Sequence, residues 1–210
     1  MAEYTEGPSK MHADCDDRRR QFEVSVMRDS STRFGAVSIA LHWVLALSYM
    51  GLFGIGWYMV TLDYYDPMYT LLPDWHKSVG MLMVLVLAVH LVWRSVNAKP
   101  EGVAGLKEWE QAASISVHWM LFAGTALVLM TGYLIPTAEG AVVSIFGFIE
   151  IPALIHSLPG QEDTAGEIHK YLAYVVLGLA ALHAAAAFKH HFVDKDNTLR
   201  RMFVLKEKVL

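Results

Sequence analysis

Four stretches of this 210-residue chain are long and apolar enough to cross a bilayer, near 35–60, 76–96, 114–135 and 169–191. A span needs about 20 predominantly apolar residues. In hydrocarbon every backbone N–H and C=O must be satisfied within the segment, so such stretches fold as helices. The expected fold class is an all-α membrane protein, a four-transmembrane-helix bundle over 35–193 with a polar tail over 1–34 and a basic tail over 194–210. The apolar run 140–155 is shorter and carries Glu150 and Pro152, so it reads as an interfacial element of the third loop.

Composition agrees: 54% of residues are hydrophobic and only 18% charged, too apolar for an ordinary soluble domain of this length. The net charge of −4 gives no basic excess that would attract nucleic acid. The single cysteine, Cys15, excludes an intramolecular disulfide framework, and there is no Cys-x-x-Cys-His for covalent c-type haem attachment. Residues 1–34 hold no apolar core of a signal peptide, so none is expected to be cleaved.

Lysine and arginine are segregated, and this sets the expected orientation. Lys10, Arg18, Arg19, Arg20, Arg28 and Arg33 precede the first span; Arg94, Lys99 and Lys107 lie between the second and third; six more follow from Lys189 onward. Segments 61–75 and 136–168 contain none, and only Lys77 and Lys170 lie near that face. Both termini are expected on the cytoplasmic side of the membrane, with the acidic loops outside. The basic stretch after His191 reads as an anchor for anionic lipid headgroups.

Histidines recur at a fixed interval on these spans. His76 and His90 are 14 residues apart, as are His169 and His183, while His42 and His118 stand at the same interval from Gly56 and Gly132. Fourteen helical residues cover about 21 Å and return to nearly the same face. Topology then places His76 with His169 at an outer level and His42 with His183 at an inner one, with His90 and His118 near the inner level. One histidine at membrane depth reads as an interhelical hydrogen bond; a stacked set reads as function. Imidazole suits Zn, Cu and Fe, but no Cys, Asp or Glu shares the inner levels to complete a Zn or Cu site. Two b-type haems, each held between two imidazoles and stacked across the membrane, are the economical solution. Gly56 and Gly132, and the four alanines of "HAAAAFKHH", would leave room for flat macrocycles.

The segments "RFGAVSIALHWVLAL", "HKSVGMLMVLVLAVHLVWR", "SVHWMLFAGTALVLMTGYLIP" and "IHKYLAYVVLGLAALHAAAAFKHHFVDKDNTLRRM" resemble the bacterial di-haem cytochrome b561 family from about Arg33 to Met202. The resemblance implies His42 and His183 as ligands of the inner haem b and His76 and His169 as ligands of the outer one. His118 matches a family histidine that is not a standard ligand. His90 stands where the family usually has arginine, and reads as an interhelical hydrogen bond or as a propionate or quinone contact.

The resemblance also implies an oxidoreductase that takes electrons from superoxide outside and passes them through both haems to ubiquinone near the cytoplasmic face. Lys77 and Lys170, each following an outer histidine, would steer an anionic substrate, pair with propionates, or simply snorkel. His190, seven residues beyond His183 and on nearly the same face, is the expected quinone contact, with His118 and Arg94 as further candidates; His191 points elsewhere and reads as interfacial. Two other readings remain: a haem-b subunit linking the quinone pool to a partner dehydrogenase or redox protein, which the long N-terminal tail would dock, and a histidine-lined transporter of divalent metal.

Overall fold

The computed structural model describes residues 26–103 and 105–203. The sequence expectations that fall on 1–25 and 204–210, most of the two tails, lie outside the described residues. Four helices dominate: α1 Ala36–Met59, α2 Leu71–Val96, α3 Glu108–Leu134 and α4 Gln161–Phe192, with a small hairpin of β1 Val143–Ile145 and β2 Ile149–Ile151 between α3 and α4. Each helix is long and apolar enough to cross a membrane. They pack as an antiparallel bundle in which α1 meets α2, α2 meets α3, and α3 meets α4.

Three helices begin earlier than the expected spans, at Leu71 rather than 76, Glu108 rather than 114, and Gln161 rather than 169. Hydropathy finds where lipid begins, whereas a helix begins where its first amides are satisfied. Pro73 and Asp74 suit the opening turn of α2. The Lys107 amide donates to Glu110 Oε2 at 3.1 Å to start α3. Gly160, at φ 65°, turns the chain into α4, whose first turn carries Glu162 and Asp163. With 32 residues α4 is about 48 Å long, well beyond a hydrocarbon core of about 30 Å. His76 and His169 therefore sit inside their helices rather than at their starts.

The end of the N-terminal tail belongs to the bundle. Asp29 accepts from the Gly35 amide at 2.6 Å and from Ser38 Oγ at 2.7 Å, and Ser38 Oγ accepts from Trp93 Nε1 at 3.0 Å, tying α1 to α2. Residues 194–203 also return to it. Arg201 donates to the Glu101 carbonyl at 2.8 Å, and Trp43 Nε1 donates to the Met202 carbonyl at 2.9 Å. The reason is geometric: Lys195 at φ 58° reverses the chain just past α4.

The opposite end is closed by the third loop, where 140–155 forms the hairpin. Phe146 and Gly147, both at positive φ, make its turn. Ser78 of α2, 1% exposed, accepts from the Phe146 amide at 2.9 Å. Gln161 fastens the loop base by donating to the Leu134 and Ile155 carbonyls at 3.0 and 3.1 Å. Halfway along the bundle, Tyr49 donates to the Ala173 carbonyl at 2.9 Å, and Phe53 meets Tyr174 edge-on at 5.3 Å.

Small residues set the closest helix approach. A Cβ added at Gly124 of α3 would lie 2.6 Å from Val176 Cγ2 of α4, and Val176 is itself 2% exposed. Because Val has little rotamer freedom, Gly124→Ala is expected to cost about 1–3 kcal/mol through overpacking. Thermal melting of the detergent-solubilised protein checks this, with Gly51→Ala, which meets nothing within 4 Å, as the silent control.

Candidate functional site

The bundle brings six histidine rings into two clusters, one toward the hairpin and one toward the chain termini. Toward the hairpin, the His76 and His169 ring centroids are 6.1 Å apart at an interplanar angle of 75°. Toward the termini, His42 and His183 are 6.3 Å apart at 60°. A metal between two imidazoles, with bonds of about 2.0–2.1 Å plus the ring radii, separates the centroids by about 6 Å. Both separations fit that requirement. His118 lies 4.9 Å from His183, too close for the two rings to stand on opposite sides of one metal. The remaining member, His90, is packed on Phe122 with centroids 5.1 Å apart.

Glycines seat the hairpin-side rings. A Cβ at Gly56 would meet His76 Cε1 at 3.2 Å, and one at Gly132 would meet His169 Cε1 at 2.9 Å. Each 14-residue partner of a histidine on α1 and α3 thus makes room for a histidine of the neighbouring helix. His169 Nδ1 lies 2.9 Å from the Val128 carbonyl. A carbonyl only accepts, so Nδ1 carries the proton and Nε2 keeps its lone pair for a metal. His76 Nδ1 makes no hydrogen bond of good geometry, although the Leu52 carbonyl is near enough to act on the ring. A cavity of about 520 Å³ opens between these two histidines, lined also by Gly56, Gly132, Lys77 and Lys170. That volume lies in the usual range for an enclosed organic ligand, and together with the two imidazoles and the cleared glycines it fits a flat, bis-imidazole-ligated macrocycle.

The two lysines at this cavity differ. Lys77 is paired with Asp74 at 2.8 Å. Lys170 has no ion pair among the described residues and lies 5.6 Å from the Tyr171 ring.

At the terminal end the expected residues separate. Arg94 stacks over Phe122 at 5.8 Å, beside His90, and acts electrostatically on both His90 and His118. His118 Nδ1 donates to the Ser114 carbonyl at 2.6 Å, leaving Nε2 free. His90 Nδ1 is buried with no partner, so the expected interhelical hydrogen bond of His90 is not made through that atom. His191 Nδ1 is also buried without a partner, its ring edge-on to Phe192 at 4.8 Å. His190 faces carboxylates: its Nδ1 lies 3.0 Å from Asp194 and 2.9 Å from Asp196. Partial burial opposes the Asp196 charge, but the Thr198 amide and His190 hold this carboxyl below the usual carboxylate range. Lys189 bridges Glu110 and Asp194 at 2.8 and 2.7 Å. Sequence reasoning missed these acids because Asp194 and Asp196 lie past the helix end, where no period predicts what a reversed chain meets.

Comparison with known proteins agrees with this geometry. The family model described as prokaryotic cytochrome b561 matches residues 33–204. Cytochrome b561 homolog 2 of Escherichia coli K12 is 38% identical over 170 residues, 81% of this chain and 90% of that protein. Cytochrome b561 homolog 1 of the same organism is 28% identical over 176 residues, 81% and 96% of the two chains. A Yersinia pestis protein named "Probable superoxide oxidase CybB" is 25% identical over 178 residues, 83% and 97%. Facing imidazole pairs in a bundle of four membrane-length helices, together with these matches, make the chain a member of the prokaryotic cytochrome b561 family, multi-pass membrane proteins of electron transfer that carry haem b.

Proposed function

We propose that this protein is a superoxide:ubiquinone oxidoreductase of the bacterial inner membrane, with both termini cytoplasmic. It would hold two haem b groups, one between His76 and His169 on the outer side and one between His42 and His183 on the inner side. The observation that carries the reading is the pair of imidazole separations, 6.1 and 6.3 Å, at two levels of one bundle. When bound, haem supplies the one-electron chemistry. The net reaction balances as two superoxide anions, one quinone and two protons giving two dioxygen molecules and one quinol.

The chain's own residues bind, steer and supply protons. At the outer cavity His76 and His169 provide neutral Nε2 ligands, oriented by Gly56, Gly132 and the Val128 carbonyl. The outer loops are acidic, with Asp63, Asp66, Asp74, Glu139, Glu150, Glu162, Asp163 and Glu167 against two lysines, so attraction of an anion must be local. Asp74 neutralises Lys77, which leaves Lys170 as the principal steering cation. At the inner end His118 and Arg94 lie together and serve as quinone contacts. His190 serves as the proton donor: Asp196 accepts from its Nδ1, so a proton passed to quinone leaves from Nε2, with exposed Asp194, 3.0 Å from the ring, connecting it to solvent. The name of the Yersinia pestis relative supports the superoxide assignment. Against metal transport, the one triad of metal-type ligands among the described residues, Glu110, His190 and Asp194, sits at the end of the bundle rather than along it.

Two outcomes are expected. Purified protein should hold two equivalents of haem, with His76→Ala or His169→Ala losing one and His42→Ala the other, measured by pyridine haemochrome; full retention in His169→Ala would remove the outer assignment. Superoxide-driven quinone reduction should proceed without any partner protein. Lys170→Gln should lower its second-order rate constant roughly 2- to 10-fold, with a flatter dependence on ionic strength. Lys77→Gln should change it less, and His190→Ala should slow quinone reduction with haem content intact.

A further inference from the structure

The four proposed ligands are not held alike. His169 is fixed by the Val128 carbonyl, and His76 rests on Gly56 beside the Leu52 carbonyl. His183 is flanked by His42 and His118. No hydrogen bond among the described residues holds the His183 ring, and none holds the His42 ring. Apart from His183, its ring neighbour is Trp43, edge-on at 5.6 Å.

Trp43 is itself anchored from the far end of the sequence. Its Nε1–H donates to the Met202 carbonyl at 2.9 Å, and its ring lies 4.8 Å from that of Phe203 at 42°. The returning segment is fixed in turn by Arg201, which donates to the Glu101 carbonyl at 2.8 Å, while the Glu101 amide donates to the Ser31 carbonyl at 2.7 Å. Residues 202–203 thus contact the indole, the stretches at 101 and 31 brace that segment, and the indole abuts one of the rings that lack a hydrogen-bonded support. Partners outside the coordination sphere orient a ligating imidazole and tune its metal. A ring without such a partner takes its orientation from packing.

We infer that Trp43 is a positioning residue for the inner haem, and that residues 202–203 of the C-terminal return segment set the orientation of His42 through it. This rests on the reading of His42 as an inner ligand. The return segment therefore has a role in the redox site and is not merely a tail.

The test uses the purified, haem-loaded full-length protein and low-temperature EPR of its oxidised haems, where the highest g value reports the mutual angle of the two axial imidazoles. The signal lost in His42→Ala identifies the inner haem. Trp43→Phe keeps an aromatic ring but deletes the Nε1–H donor. A chain ending at Arg201 deletes the acceptor and the Phe203 ring. Each is expected to shift and broaden the inner signal while leaving the outer one in place. Combining them should add nothing further, since both break one link. If His42→Ala removes no signal, the ligand reading falls. If it removes one that neither variant moves, or if both signals move together as in general loosening, the inference falls while the ligand reading stands.

Discussion

An imidazole placed at membrane depth has two ring nitrogens, and each must find a partner in surroundings that offer no water. One nitrogen can be given to a backbone carbonyl of a neighbouring helix, as His169 gives Nδ1 to Val128. The other is then aimed across the bundle at a ring from another helix. Much of the interior follows from meeting that requirement twice. Gly56 and Gly132 lack side chains because the rings of His76 and His169 occupy the space. The helices holding His76 and His169 stay far enough apart to leave a cavity, while α3 and α4 touch elsewhere at Gly124 and Val176. The bundle is thus tight where glycine allows it and open where imidazoles meet.

How much of this the residues disclosed depended on which physical signal was in play. Four spans were legible because about 20 apolar residues admit few other folds in lipid. The histidine levels were legible because 14 residues is close to a whole number of helical turns. The glycine interval was noticed as empty space, but its pairing with the neighbouring helix's ring depends on helix adjacency, which no single-chain period contains. Helix starts at Leu71, Glu108 and Gln161 were missed because polar turns look like loop to a hydropathy reading. The hairpin within 140–155 was too short and too apolar to distinguish from an interfacial segment.

The least legible region was the end where the termini meet. Lysine and arginine there point to lipid headgroups, a rule that says nothing of what the same segment packs against. Lys195, in the left-handed region, turns the chain back. Arg201 then spends its charge-bearing group on a backbone carbonyl, and Asp194 and Asp196 arrive at His190. Asp29 does the same from the other terminus by closing on Gly35 and Ser38. Residues 29 and 194–203 therefore pack against the end of the bundle where the chain termini meet.

The aromatic layer at half height has an electrical meaning. Tyr49, Phe53 and Tyr174 stand between the two histidine clusters, at the edge of the hairpin-side cavity, and the Tyr49 hydroxyl donates its proton to the Ala173 carbonyl. None of these three side chains is charged, so the layer they form is of low polarity, as a dielectric is between the plates of a capacitor. Charge that passes between the two clusters as electrons alone moves through the membrane field without compensation. A full crossing is worth about 2.3 kcal/mol per 100 mV for each charge. The polarity of the membrane therefore enters the driving force of any reaction that joins the two levels.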